Sequence, residues 1–112
     1  MEAGQGIGRV AVVHGAGGGG WEWSVWRRVF AARGIVTAAP DLAPVAGGLA
    51  ATAFDDYVAQ VRNALGAVPR PRALVGASLG GLLAMACADA ADALVLVNPL
   101  PPAPWATRLP AR

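Results

Sequence analysis

The 112-residue chain is 55% hydrophobic and only 14% charged, whereas about a quarter of the residues in a typical soluble domain are charged. Its length suits a single domain, and its composition excludes an intrinsically disordered segment, which would be polar and charged. The nine basic residues are all arginines scattered along the chain, and the formal net charge of +2 forms no continuous basic stripe, so nucleic acid is not an expected partner.

The amino-terminal segment, MEAGQGIGR, has an early glutamate and no apolar stretch of signal-peptide length, which argues against secretion. The longest uncharged stretch, residues 73–88, is a little short for a membrane span and contains three glycines. Cys87 is the only cysteine, so a disulfide framework and a metal-ligand cluster are excluded and a buried thiol is expected. We therefore expect a cytoplasmic protein with no membrane contact, no metal and no cofactor.

The first predicted strand is RVAVVHG, residues 9–15, an apolar run rich in β-branched residues and closed by a glycine. The next segment, WEWSVWRRVFAARG, predicts an amphipathic helix with Gly34 as a carboxyl-terminal cap. Its large apolar residues recur at helical spacing and are Trp23, Trp26, Val29 and Phe30. This spacing predicts that Trp23 and Trp26 pack in the core.

A second strand is predicted at IVTAAPDL, residues 35–42, where Pro40 stops it. The segment APVAGGLAA then forms a loop. Thr52 and Asp55 resemble a capping box at the start of a second helix. The apolar residues of this helix have helical spacing and are Phe54, Tyr57, Val58, Val61 and Leu65.

The remaining predicted elements are a strand at RALVGA (72–77), a helix at LGGLLAMACADAA (79–91), a strand at DALVLVNP (92–99) and a proline-rich tail (99–112). Alternating strands and helices predict an α/β fold, an open parallel sheet of four strands with helices on both faces. Right-handed crossovers favour the strand order second, first, third, fourth. Ligands bind such sheets where the chain direction switches, between the first and third strands.

The segment Gly76-Ala77-Ser78-Leu79-Gly80 fits the pattern G-x-S-x-G between a predicted strand and a predicted helix. In that context the pattern indicates a nucleophile elbow, a turn so tight that the neighbours of the serine must lack bulk. The start of the helix favours negative charge that develops near the serine oxygen. Ser78 is thus predicted to be a catalytic nucleophile, and the alternative is a tight turn in which Ser78 only caps a helix.

Four segments, VVHGAGGGGWEW, APDL, LVGASLGG and ALVLVNP, resemble in this order the α/β-hydrolase superfamily of serine esterases and lipases. The resemblance covers nearly the whole chain but only the amino-terminal half of the family's domain, so residues 1–112 are interpreted as that portion. It implies hydrolysis of a small ester, thioester or amide, with the N–H groups of Ala16, or of Gly15, and of Leu79 as the oxyanion hole. It also implies that His14 supports this loop and is not the catalytic base.

The family order is Ser, then an acid, then His, but after Ser78 this sequence has only Asp89 and Asp92 as acids and no histidine. Both acids are expected near the start of the fourth strand, away from Ser78, while Asn98 is expected at the catalytic end. The base is therefore predicted to be absent and the isolated chain to be inactive, through truncation or degeneration. A missing carboxyl-terminal half, or a second copy bound to the uncovered fourth strand, is the expected partner besides a small acyl substrate.

Two other function classes remain open from the sequence. Gly15-x-Gly17-x-x-Gly20 lies between a predicted strand and a predicted helix, and Asp41 follows Gly20 at the distance of a ribose-binding acid, which resembles a dinucleotide-binding fingerprint. The bulk of Trp21 and Trp23, where a phosphate-binding turn must be compact, argues against it. A non-catalytic interaction domain derived from a hydrolase is the third hypothesis. Tight binding of a nicotinamide dinucleotide, lost in Asp41→Ala, would favour the second class.

Overall fold

The computed structural model describes residues 7–99, with every side chain in that range except Leu49. Four strands, Arg9–Val13 (β1), Val36–Ala38 (β2), Ala73–Ala77 (β3) and Ala93–Val97 (β4), form one sheet in the order β2-β1-β3-β4. All neighbouring pairs are parallel. The predicted α/β class and strand order are confirmed, whereas the proline-rich tail beyond Pro99 lies outside the described residues.

Three α-helices connect these strands within the described range: Ser24–Ala32 (α1), Phe54–Gly66 (α2) and Leu79–Ala86 (α3). The chain leaves β1 through α1 toward the edge strand β2, and it returns through α2 to β3 on the other side of β1. This reversal of direction places the carboxyl ends of β1 and β3 side by side, as their register from Val10↔Ala73 to Val13↔Gly76 shows. That edge of the sheet is where ligands bind in folds of this kind.

Helices cover both faces of the sheet, as predicted. One face packs α2 and α3 against β1 and β3, and its buried residues are Ala11, Val13, Val61, Leu65, Leu74, Leu83, Ala84 and Cys87. The opposite face buries Val10, Val12, Trp23 and Val75, with Phe30 of α1 packed against them. The predicted burial of Cys87 is confirmed, and this burial raises the pKa of its thiol.

The predicted burial of Trp23 and Trp26 is only half correct. Trp23 is 3% exposed, whereas Trp26 is 41% exposed and Val29 is 55% exposed. Trp23 ends a 3₁₀ turn, Gly20–Trp23, that precedes α1. A 3₁₀ helix has three residues per turn, whereas an α-helix has 3.6. This change of rotation directs the Trp23 side chain into the core. Trp26 packs edge-on against the Trp23 ring, and the two ring centroids lie 5.2 Å apart.

The start of α2 also differs from the prediction. Its first residue is Phe54, and the carboxylate that accepts the preceding N–H belongs to Asp56, at 2.7 Å from the Ala53 nitrogen. The Thr52 hydroxyl instead accepts the Val45 N–H and donates to the Gly48 carbonyl, so it holds the loop and does not cap the helix. The predicted capping box is therefore wrong by one residue.

Two features of the chain bear on its surroundings. No helix within residues 7–99 has the length and apolar character needed to cross a lipid bilayer.

Within the same range β4 is the outer strand of the sheet, and Leu94 and Val95 on its two faces are 37% and 48% exposed. The described part of the chain thus presents an apolar sheet edge on the side of β4.

Candidate active site

Ser78 lies at the junction of β3 and α3 with a backbone φ of 56° and ψ of −122°. A positive φ is strained for a residue other than glycine. The turn is held by three hydrogen bonds: the Ser78 N–H donates to the Val97 carbonyl of β4 at 3.1 Å, and the Ser78 carbonyl accepts the N–H groups of Gly81 at 2.9 Å and of Leu82 at 3.3 Å. The Ser78 side chain is exposed beyond the carboxyl end of the sheet.

The motif glycines are required by close backbone contacts. A Cβ on Gly76 would overlap the carbonyl of Gly80, and a Cβ on Gly80 would lie 2.5 Å from the His14 carbonyl oxygen and 2.7 Å from the Val13 carbonyl carbon. Both distances are far below van der Waals contact. The first turn of α3 therefore packs directly on the backbone at the end of β1, and this contact brings Ser78 next to the segment that follows β1.

His14 is 4% exposed and both of its ring nitrogens have partners. Nε2 accepts the Leu42 N–H at 2.9 Å, so it must carry a lone pair, and Nδ1 therefore carries the proton and donates to the Gly15 carbonyl at 2.8 Å. A neutral imidazole with both nitrogens occupied cannot take a proton from Ser78. The geometry agrees with a supporting role for His14 in the loop that follows.

The loop after His14 lies against Ser78. A Cβ on Gly15 would be 3.3 Å from the Ser78 Cβ and 3.8 Å from its Oγ. The Gly15 N–H points to Glu22 Oε1 at a long 3.5 Å, whereas within residues 7–99 the N–H groups of Ala16 and Leu79 donate to no acceptor. Of the three N–H groups predicted for the oxyanion hole, those of Ala16 and Leu79 are therefore free of acceptors in the described chain, whereas that of Gly15 is weakly engaged by Glu22.

A cleft of about 430 Å³ adjoins this arrangement. Ser78 does not line it, but its neighbours Gly15 and Leu79 do, and the lining residues are His14, Gly15, Ala16, Gly17, Gly18, Leu42, Pro44, Tyr57 and Leu79. The cleft is mostly apolar, and none of its lining residues within the range 7–99 carries a charged side chain. Sequence reasoning assigned Tyr57 only to the apolar spacing of α2, and no local motif indicates that its side chain reaches the cleft.

Two carboxylates contact the glycine-rich loop. The Glu22 carboxylate lies over Gly18, where a Cβ would overlap it, and Asp41 Oδ1 accepts the Gly20 N–H at 2.6 Å. A dinucleotide-binding loop needs its amide groups free for a pyrophosphate and its acid free for a ribose. Here Asp41 is bound to the loop itself and Glu22 places negative charge over it, so the geometry argues against dinucleotide binding.

Within residues 7–99 no hydrogen bond joins the Ser78 hydroxyl to an acidic or basic side chain, and the two acids that follow Ser78 are paired elsewhere. Asp89 pairs with Arg62 at 2.9 Å and Asp92 pairs with Arg70 at 2.8 Å, both at the amino-terminal side of β4 as predicted. The arginine hydrogen bonds lower the pKa of both carboxyls. Asn98 follows the carboxyl end of β4 with a φ of 45°, and residues 7–99 contain no cluster of three potential metal ligands.

A larger hollow of about 550 Å³ lies on the other side of the molecule, between α1 and β2. Arg27, Arg28 and Val36 are among its lining residues. It contains none of the motif residues, and it does not adjoin Ser78. Size alone therefore does not identify the site, and the convergence of the loop, the turn and the unpaired amide groups favours the smaller cleft.

Residues 10–112 match the profile of a family described as the alpha/beta hydrolase family. A search of curated proteins finds no match. Among solved structures, a variant of the hydrolase PytH is 26% identical with a TM-score of 0.73, and the match covers 96% of this chain and 48% of that chain. A pyrethroid hydrolase from Sphingobium faniae JZ-2 is also 26% identical, with a TM-score of 0.68 and coverage of 84% and 40%.

A variant of polyneuridine aldehyde esterase is 21% identical with a TM-score of 0.70, and the match covers 95% of this chain and 49% of that chain. At this identity the likeness shows the fold alone. The chain spans about half the length, or less, of these solved structures.

Proposed function

Because this chain belongs to the alpha/beta hydrolase family, we propose that it carries the nucleophile and the oxyanion hole of a serine hydrolase. The observation that supports this most directly is the turn at Ser78, whose positive φ exposes the side chain beside two amide groups without acceptors in the described chain. Strained backbone of this kind persists where the surrounding structure holds it, and it clusters at active sites. The substrate class that we propose is a small ester, thioester or amide.

In the proposed reaction, Ser78 Oγ attacks the carbonyl carbon of the substrate and loses its proton to a base. The carbonyl oxygen becomes an oxyanion, which accepts hydrogen bonds from the Ala16 and Leu79 N–H groups. The tetrahedral intermediate then expels an alcohol, thiol or amine, which takes up a proton, and leaves an acyl ester on Ser78. Water then attacks this ester, the acyl group leaves as a carboxylic acid, and the Ser78 hydroxyl is restored.

The base is the component that this chain does not supply, because both nitrogens of His14 are occupied. The matched PytH variant carries a histidine-to-alanine substitution further along its chain than the 112 residues of this one extend. We therefore propose that the proton acceptor belongs to a segment equivalent to that later part. Loss of the histidine alone lowers kcat of a serine hydrolase by about a million-fold, so the 112-residue chain alone is expected to be nearly inert.

The surroundings of the site support a neutral acyl substrate. The cleft next to Gly15 and Leu79 is mostly apolar, and the nearby carboxylates of Glu22 and Asp41 disfavour an anionic group. The name of the Sphingobium faniae relative, a pyrethroid hydrolase, supports hydrolytic chemistry. The single buried cysteine supports a reducing compartment, and we propose the cytoplasm.

The decisive experiment measures hydrolysis of an activated ester by the chain alone and by the chain combined with any segment that its gene encodes downstream. Ser78→Ala is compared with Ser24→Ala, which removes the other serine of the chain, an exposed residue of α1. We expect activity only in the combination, lost in Ser78→Ala and kept in Ser24→Ala. Equal activity of the combination with and without Ser78 would refute the proposal, and Ser78-dependent turnover by the chain alone would refute the missing base.

A further inference from the structure

The loop that carries Ala16 begins at His14 and ends at Gly20, and two consecutive residues of another segment hold its two ends. The Leu42 N–H donates to His14 Nε2 at 2.9 Å, and Asp41 Oδ1 accepts the Gly20 N–H at 2.6 Å. Within the loop itself the one backbone hydrogen bond in the described structure joins Gly18 to Gly15 at 3.2 Å. The conformation of the loop therefore depends on contacts made at its ends.

A loop with four glycines in a row needs such contacts because glycine has more accessible backbone conformations than any other residue. The direction of the Ala16 N–H is fixed only if the loop is fixed on both sides of it. A hydrogen bond from a backbone amide to a carboxylate is shorter and roughly twice as strong as a neutral one, and the 2.6 Å contact of Asp41 is of this kind.

The end of the loop is also tightly packed around Asp41. A Cβ on Gly19 would lie 3.1 Å from Asp41 Oδ1, and a Cβ on Gly20 would lie 3.3 Å from the same oxygen and 3.4 Å from the carbonyl carbon of Ala39. The backbone of Gly20 thus lies against the segment that leaves β2, at the point where Asp41 binds it. A shift of the Asp41 side chain displaces the loop end directly.

From these contacts we infer that Asp41 is a positioning residue of the oxyanion hole, acting on Ala16 through Gly20. This inference rests on the proposed function, because it gives Asp41 a role in the placement of a donor that the proposed reaction uses. Asp41 does not touch the reacting atoms. It replaces the ribose-binding role that the spacing of Asp41 and Gly20 suggested from sequence.

The test compares three substitutions in the full chain. Asp41→Ala removes the acceptor, Asp41→Asn keeps an oxygen at the same place without the charge, and Asp55→Ala removes an exposed carboxylate of α2 that does not contact the loop. The backbone amide signals of Gly20 and Ala16 are followed in ¹H–¹⁵N spectra of the chain. The rate at which a fluorophosphonate labels Ser78 is measured beside them in each variant combined with the segment that its gene encodes downstream. A melting curve reports folding of each variant.

We expect Asp41→Ala to move both amide signals and to slow labelling roughly tenfold to a hundredfold, since a displaced donor forfeits most of its stabilisation. Asp41→Asn should keep the two amide signals and the labelling rate close to those of the wild type. Asp55→Ala should change neither the signals nor the rate. If Asp41→Ala does not fold, Asp41→Glu, which displaces the carboxylate by one methylene, should move the same two signals.

The outcomes separate this inference from the function on which it rests. An Ala16 signal that stays in place while the Gly20 signal moves would overturn the positioning role, whatever the labelling rate. Labelling that is absent from the wild-type combination, or that persists in the Ser78→Ala combination, would instead overturn Ser78 as the nucleophile. In that case the amide signals still decide whether Asp41 fixes the loop.

Discussion

Replacement of Gly80 by alanine tests the packing that brings Ser78 to the end of β1. The added Cβ would lie 2.5 Å from the His14 carbonyl oxygen, about 1 Å inside the 3.5 Å separation at which carbon atoms pack. The obstacle is backbone of the central strand and the residue after it, not the flexible end of a side chain. Either α3 moves away from β1 or the end of β1 bends.

The expected cost follows from two opposing effects. Overpacking of this kind costs about 3 kcal/mol, the upper end of its usual range, because the backbone cannot turn aside. Alanine in place of glycine within a helix stabilises the folded state by about 1 kcal/mol, because alanine has the higher helix propensity. The free energy of unfolding should therefore fall by about 2 kcal/mol, which lowers the melting temperature of a domain of this size by about 10 °C.

The assay is urea and thermal unfolding of Gly80→Ala beside Gly66→Ala. Gly66 is the last residue of α2, and a Cβ there would meet no atom within 4 Å, so its replacement should leave stability unchanged or raise it by roughly 0.5 kcal/mol. Two variants with the same change in stability would refute the close contact between α3 and the end of β1.

Four other substitutions or conditions give separate tests. His14→Ala should lower the free energy of unfolding by roughly 2–4 kcal/mol in urea titrations, because it leaves a cavity in place of a buried ring and removes the acceptor of the Leu42 N–H. A loss below 1 kcal/mol would contradict the burial and bonding of the ring. The lowered pKa of Asp92 means that its pairing with Arg70 stabilises the fold above pH about 4 and is lost as the pH falls through that lowered pKa. The stability difference between the wild type and Asp92→Asn should therefore shrink in acid, and a constant difference would exclude the pairing. Cys87 should react with a thiol reagent only as the chain unfolds, since burial raises its pKa, and rapid reaction in native buffer would disprove its burial. Val95→Lys should reduce self-association in sedimentation experiments, because a charge on an exposed strand edge opposes pairing, and an unchanged mass distribution would rule out this edge as the contact.

The sheet was predictable because its strands differ sharply from their surroundings. Apolar runs that end at a glycine or a proline indicated all four strands, and the handedness of crossovers then left few strand orders. The glycines of the serine turn were predictable for a similar reason, since Gly76 and Gly80 are demanded by contacts that the motif itself implies. Local pattern and tertiary contact agree at these positions.

The sequence was less informative where a residue has two possible partners. Thr52 has a helix-capping pattern, yet its hydroxyl bonds loop atoms at Val45 and Gly48, because a threonine hydroxyl serves whichever backbone group the tertiary fold brings near. Trp26 has core spacing, yet the preceding 3₁₀ turn rotates it outward. Asp41 contacts Gly20 across 21 positions, and only the fold shows that its partner is the loop.

The hydrogen bond between the Ser78 N–H and the Val97 carbonyl joins the serine turn to the outer strand of the sheet. Proteins open locally, in small cooperative units, and the strands with fewest neighbours open most often. Each opening of β4 at Val97 releases one constraint on a backbone conformation that serine disfavours. The lifetime of the strained turn is thereby limited by fraying of β4, and any segment that pairs with its outer edge lengthens that lifetime. The rate at which the Ser78 amide proton exchanges with solvent measures how often β4 opens at Val97 and, with it, how often the turn is released.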